Sequence, residues 1–370
     1  MNMNIIIIYI YKMYYVYFLL IIIIYYLLLI CYRKFNSHFW YHQYIQHTYN
    51  KVTNTFITNK LHFNNRYNNK YIITISKDNI DESIYNKLLN LYNVYYISNP
   101  DENINKNLLN AYLNTNSLIS YRVDLQGINC SYPINIFINN NFLNSQFQDF
   151  LNINPLIDNI DNVKKELFQN HINNINYNSL LFKNNNYIPT CIELFKITQY
   201  KYNIINWIKP TIIETHLKLI NVNKNNYFYF KDKIIDILIC NYHLIIFNDI
   251  SILYSLIENN ILLFFITVSD KININSVYVF KNNNNIINSY ALISSHNIDT
   301  SNELFFYYFQ QIVNNFKITN ILINSISKGN TTILQYLHNY NIDNEMYKSI
   351  YYYLYNYSYN THDKCDVFIM

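Results

Sequence analysis

The sequence predicts a mixed α/β protein built of two similar halves behind an apolar N-terminal helix. Three observations carry this. Strand-like and helix-like runs alternate from residue 71 onward. A second cycle of hairpin, helix, strand and helix begins near residue 277. Residues 13–31, MYYVYFLLIIIIYYLLLIC, hold no charge at all.

The uncharged stretch is 19 residues long, about what spans ~30 Å of hydrocarbon as a helix. Apolar character reaches back to Ile5, interrupted by Lys12. No small-residue cleavage site follows, so the expectation is an uncleaved transmembrane helix. Membrane contact is assigned to residues 5–31 and the anchor to residues 1–34. Arg33 and Lys34 follow the stretch directly, which points to a single-pass protein with a cytosolic C-terminal domain. A targeting leader is the competing reading. Residues 35–70 then read as a linker and arm.

The elements follow in order. YIITIS (71–76) reads as a strand. Over 80–97, Ile84, Leu88, Leu89 and Tyr92 recur at helical spacing, and 103–114 gives a second helix. LISYRVDL and NCSYPINIFI flank Gly127 as a hairpin. Charged and apolar positions alternate at helical spacing over 160–172. Strand-like runs return over 189–208. VYVF (277–280), an Asn turn and IINSYALISS (286–295) read as another hairpin. Ser301 opens a helix over 301–316, with Glu303 in its first turn. ILINSI (321–326) is a strand, a helix follows at 331–339, and strands close the chain. The halves are placed at 71–210 and 211–370.

Composition excludes several functions. Apolar residues make up 51% of the chain and charged residues only 14%, so a large core is available and a solvated charged surface is not. The abundance of Asn, Ile, Lys, Tyr and Phe reads as coding bias toward A and T, so Asn runs are loop filler before they are prion-like segments. A net charge of +4, unclustered, does not suit nucleic acid. The only glycines are Gly127 and Gly329, so neither a phosphate-binding P-loop nor a GxGxxG turn can form. The five cysteines have no CxxC spacing, which removes zinc ribbons and thioredoxin chemistry. His38, His42 and His47 lack the acid beside the first His of the usual helical zinc motif, so no metal site is assigned.

Six patches, in matching order and approximate spacing over residues 38–370, resemble the N-myristoyltransferase (glycylpeptide N-tetradecanoyltransferase) family. YYYLYNY followed by the terminal DVFIM is similar to the family's Tyr-Tyr-Leu-Tyr-Asn-Trp signature and short closing strand. ITNILINSISKGN places Asn324 where the family has Asn-Ala-Leu-Asp. GINCSYPINIFI aligns Pro133, Asn135 and Ile136 with Ile-Pro-Ala-Asn-Ile. DFLNI (149–153) carries the Phe-Leu pair, HFWYHQ (38–43) resembles the segment that touches acyl-CoA, and IPTC (188–191) resembles the strand entry after the acyl-CoA loop.

The resemblance implies two acetyltransferase-like (GNAT-type) halves sharing a saddle-shaped mixed sheet. It implies direct transfer of a tetradecanoyl group from myristoyl-CoA to the N-terminal glycine of a peptide by a monomer. Acyl-CoA is then a substrate, with no separate cofactor. Such a reaction needs two N–H donors for the thioester oxygen and a group to take a proton from an amine of pKa near ~8. The resemblance gives the first role to the backbone of Phe150 and Leu151, and the second to the terminal carboxylate of Met370. It gives acyl-CoA contacts to His38, Phe39, Trp40, Phe150, Leu151, Asn152 and Ile153. The family's basic stretch after Phe-Leu is replaced by NPLIDNIDNV (154–163), and Lys164 and Lys165 are the nearest substitutes for a phosphate clamp. That departure sustains a second reading, a relative that keeps the fold and binds an acyl chain or peptide without catalysis. A third is a membrane-anchored interaction protein.

Overall fold

In the computed structural model, the described residues are 3–36, 38–41, 43–58, 69–96, 106–113, 116–203, 215–269, 273–281, 291–340, 342 and 344–370. The side chain of His38, the Asn turn at 282–285, Asp343 and the seam near 210 lie outside them.

The chain opens with helix α1 (Met3–Asn36) and the short α2 (His38–Tyr41). Side chains from Met13 to Leu28 are all exposed. Among the described residues, no helix is long and apolar enough to cross a membrane. The described residues therefore do not support the transmembrane helix expected over 5–31, where the side chains outside 13–28 and Cys31 are not described.

The first half contains β1 (Ile72–Ser76), α3 (Glu82–Tyr96), α4 (Lys106–Tyr112), β2 (Leu118–Arg122), β3 (Gly127–Ile138), β4 (Asn141–Ile153), α5 (Ile160–Asn173), β5 (Leu180–Asn184) and β6 (Phe195–Asn203). The second contains β7 (Lys218–Val222), α6 (Tyr227–Asn241), β8 (Leu244–Asn248), α7 (Ile250–Glu258), β9 (Leu262–Val268), β10 (Ile274–Lys281), β11 (Ala291–Asn297), α8 (Asn302–Asn315), β12 (Asn320–Asn324), α9 (Lys328–Asn339), β13 (Asn344–Tyr355) and β14 (Val367–Ile369). The expected β1, α3, β2–β3 hairpin, α5, α8, β12 and α9 are found where the sequence patterns place them. Ser301 caps α8 by accepting from the Leu304 N–H, as its position suggests.

All fourteen strands join one mixed sheet, in the order β1-β2-β3-β4-β5-β13-β6-β12-β11-β10-β9-β7, with β8 on β3 and β14 on β8. The two halves repeat one unit. In the first, β4 runs through α5 to the parallel β5. In the second, β11 runs through α8 to the parallel β12. Each parallel ladder holds for three residue pairs, Gln146–Gln148 against Leu180–Phe182 and Ala291–Ile293 against Ile321–Ile323. The strand after each unit crosses to the other half. β6 pairs with β12, β13 pairs with β5, and β6 and β13 pair with each other.

The two glycines serve close helix–strand approach. Neither has a positive φ. A Cβ on Gly127 would sit 2.7 Å from Leu167 Cδ1 on α5. A Cβ on Gly329 would sit 2.5 Å from the Ser295 carbonyl, because the start of α9 rests on the β11 backbone. The β2–β3 turn instead places Leu125 at φ 56°.

Candidate functional site

The site begins where β4 and β5 part. Their ladder ends at Gln148 opposite Phe182. On its other edge β4 pairs with β3, and the register slips between Cys130 and Ser131: Cys130 faces Phe150, while Ser131 faces Gln148. Asp149 is thus the extra residue of a β-bulge, a feature that re-aims side chains locally. Phe150 and Leu151 come directly after it. Phe150 packs on Tyr112 and Tyr132, with centroids 5.7 and 6.0 Å away. Leu151 packs on the opposite side, with Val163 and Leu167 of α5. The Phe150 side chain is core and that of Leu151 is half-buried.

A charged cluster stands at the mouth of the wedge between β4 and β5. Asp149 and Lys183 are the next residues on each strand after the ladder ends, and they form an ion pair. The Tyr132 hydroxyl donates to Asp149 Oδ2 at 3.3 Å. The Asp149 side chain is 9% exposed and that of Lys183 30%, so solvent reaches the ammonium while the carboxylate is covered. Burial alone would raise the Asp149 carboxyl. The ammonium groups of Lys183 and of Lys281 from β10, with hydrogen bonds from Lys183 and Tyr132, outweigh it and hold the carboxyl below its usual range. Tyr352 of β13 completes the cluster; burial pushes its phenol up to about 12, against the pull of Lys183.

The α5 side of the wedge is polar in a different way. Thr74, Ser120, His171, Ser131 and Gln146 form one hydrogen-bonded chain across β1, β2, α5, β3 and β4. Ser131 Oγ donates to Gln146 Oε1 at 2.8 Å, so His171 Nε2 donates to Ser131 and Nδ1 accepts from Ser120, each at 2.7 Å. Burial pushes His171 down to about 3, and the neutral ring satisfies both nitrogens. Next to this chain, both amide atoms of the buried Asn129, opposite Leu151, have no hydrogen-bond partner, nor does Gln148 Oε1. Orphaned buried amides of this kind are uncommon and call for a ligand or water.

The expected acyl-CoA residues are placed as follows. Trp40 stacks on Phe182 at 5.5 Å and meets Phe168 of α5 edge-on at 5.1 Å; Phe39 packs on Phe168 at 6.0 Å. The arm therefore lies on the α5–β5 wall of the wedge. Asn152 is buried and Ile153 half-buried on β4. Lys164 and Lys165 are half-buried on α5; burial lowers Lys164, with Asp161 opposing the shift. Asp161 also occupies the first turn of α5, where its charge opposes an incoming phosphate.

Met370 follows β14 beside β8. Its N–H donates to the Ile246 carbonyl at 2.8 Å, and its own oxygen accepts from Asn248 N–H at 3.2 Å and Nδ2 at 3.4 Å. Asn248 faces Ile134 of β3. In the hydrogen-bonded order, β8 and β3 stand between Met370 and the Phe150–Leu151 strand. Asp149, Lys183 and Lys281 are the residues that motif reading passed over. The signal for Asp149 is present in DFLNI itself, as the acid directly before the Phe-Leu pair.

A doubled α/β sheet, with its halves joined by exchanged strands and a wedge at the parallel pair, is the class of fold the resemblance implies: N-myristoyltransferase-like. Among the solved structures of similar fold are those of Saccharomyces cerevisiae N-myristoyltransferase. One structure of it with bound myristoyl-CoA is matched at TM-score 0.66 and 12% identity, over 90% of this chain and 98% of that one. Another with myristoyl-CoA gives 0.63 at 12% identity, over 87% and 88%. A third, with myristoyl-CoA and inhibitors, gives 0.62 at 11%, over 88% and 91%. No protein-family model and no curated protein sequence matches the chain.

Proposed function

We propose that this protein binds a long-chain acyl-CoA in the wedge between β4 and β5 and transfers the acyl group to an amine. The reading narrows to tetradecanoyl transfer to the N-terminal glycine of a peptide. The observation that carries it is the coincidence of the Phe150–Leu151 pair with the point where β4 leaves β5. Backbone donors there suit a thioester oxygen, and they depend little on side-chain identity. The unpartnered Asn129 amide and Gln148 Oε1 suit a ligand arm that carries amides of its own. Trp40 and Phe39 would wall the arm on the α5 side. A carboxylate takes a proton from the amine, and the resemblance supplies Met370 for it. Direct attack leaves no covalent enzyme intermediate.

The test is titration of the full chain with myristoyl-CoA, followed by a peptide carrying an N-terminal glycine. A Kd of about 1 μM or tighter and release of CoA thiol are expected. No binding would remove the reading.

A second reading has its own support. Asp161 in the first turn of α5 and the acidic NPLIDNIDNV segment leave phosphate with few cationic partners. Charge-assisted contacts contribute about 1.5–3 kcal/mol each, so their loss favours a non-catalytic relative that holds a free acyl chain or peptide. Binding of myristate equal to that of myristoyl-CoA, with no thiol released, would select it. The exposed apolar side chains of α1 favour a membrane location in either case, checked by vesicle flotation with and without residues 1–36.

A further inference from the structure

Helix α6 turns one face inward and leaves another bare. Tyr227, Phe230, Ile234 and Leu238 recur at three and four residues and are buried. Phe228 and Tyr229, between the first two, are 58% and 54% exposed. Phe228 stacks on Tyr254 of α7 at 5.4 Å, and Ile250, one turn before Tyr254, is exposed as well. Two helices thus share one apolar surface. Two lysines lie over it: Lys231 Nζ is 5.6 Å from the Phe228 ring centre, and Lys233 Nζ is 4.5 Å from that of Tyr229. Lys224, in the turn before α6, is exposed beside them in sequence. The acids nearby are Asp232, 3.6 Å from Lys231, the exposed Asp236, and Asp249, which is engaged in capping α7. A contiguous apolar patch with a charged rim marks a contact surface, whereas a lone exposed ring does not.

We propose that this surface of α6 and α7 is a lipid-contacting face of the folded domain. Phe228, Tyr229 and Ile250 enter the headgroup region of an anionic bilayer, Tyr254 backs Phe228, and Lys224, Lys231 and Lys233 meet lipid phosphates. Aromatic rings favour the boundary between hydrocarbon and water. Lysine stems lie along apolar surface and carry the ammonium out to the phosphate level. Helix α1 argues for lipid as the occupant. Its side chains from Met13 to Leu28 are exposed on every face of the helix; a protein groove covers one such face, whereas hydrocarbon covers all of them. A chain drawn to lipid by its N-terminus holds its folded domain near the bilayer at high effective concentration. A weak second contact then suffices to fix which side of the domain faces the membrane. The inference rests on the membrane location read from α1 for its setting, and not on acyl transfer.

The experiment places a tryptophan on the surface of the full chain and reads its quenching by lipid brominated along the acyl chain. Phe228→Trp is compared with Tyr340→Trp, which replaces another exposed ring, just after α9. Trp40 and Trp207 are common to both and cancel in the difference. In vesicles of about 30% anionic lipid, Phe228→Trp is expected to be quenched at least about twofold more than Tyr340→Trp. Adding Lys231→Gln with Lys233→Gln, or raising the salt to about 1 M, is expected to remove most of that excess. Equal quenching at the two positions overturns the inference, as does quenching that ignores both the lysines and the salt. Either result in a chain that still floats with vesicles leaves the α1 reading standing; a chain that does not float overturns both. A concentration-dependent dimer that Phe228→Asp dissolves, without bromine quenching, would overturn the lipid assignment and give the surface to a second copy of the chain.

Discussion

At the scale of single residues, His171 shows how a buried polar group sets pH behaviour. Its ring is neutral in the fold and protonates freely once the chain unfolds, near the ordinary 6.5. The folded value is the lower one, so the stabilisation is complete above about pH 6.5 and drains away as pH falls toward about 3. Each unit between those values is worth about 1.4 kcal/mol. Wild type should therefore lose up to about 3 kcal/mol between pH 7 and pH 4.5 from this ring alone. His171→Gln should show a smaller loss over the same interval, read from urea midpoints at both pH values. An equal loss in the two proteins would place the acid sensitivity on other groups, of which His296, pushed down to about 4 by burial, is the first to examine.

At the scale of elements, the two glycines make a paired prediction. Gly329→Ala drives a methyl group into the Ser295 backbone, which cannot yield without moving α9 off β11. Overpacking of this kind costs about 1–3 kcal/mol, and a thermal melt should register it. Gly127→Ala meets only the end of the Leu167 side chain, which can rotate aside, and its melt should shift less. The reverse ranking would mean that α9 yields more easily than Leu167. Legibility in the sequence divides at the same level. β1, α3, the β2–β3 hairpin, α5, α8, β12 and α9 were readable because each alternates apolar and polar positions with one period. The stretch from 218 to 268 was not. Its five elements β7, α6, β8, α7 and β9 lie in near-continuous apolar runs such as IIDILIC, LIIFN and LLFFITV, where every face looks alike and periodicity decides nothing. The site was legible in part: the resemblance located Phe150 and Leu151, but a bulge depends on register with β3, and a linear reading contains no register.

At the scale of the whole molecule, α1 and the sheet behave as separate things. Residues 13–28 are exposed along their length, so removing residues 1–36 should leave the melting temperature of the remainder within about 2 °C, a ΔΔG under about 1 kcal/mol. A larger fall would mean that α1 braces the sheet. The sheet itself should unfold as one unit, with a single calorimetric peak, because β6 and β13 each lie between two strands of the opposite half.

That exchange of strands has a consequence for how such a chain can be divided. A cut near residue 210 would leave the first fragment carrying β6 with neither of its neighbours, and the second fragment carrying β13 with no β5 to accept it. Each would expose a long apolar edge of the sort that drives aggregation. Expressed apart, the fragments should precipitate; produced together, they should assemble. An ancestor made of one repeat would have had to close its sheet onto a second copy of itself, so the present chain reads as two such copies joined by fusion.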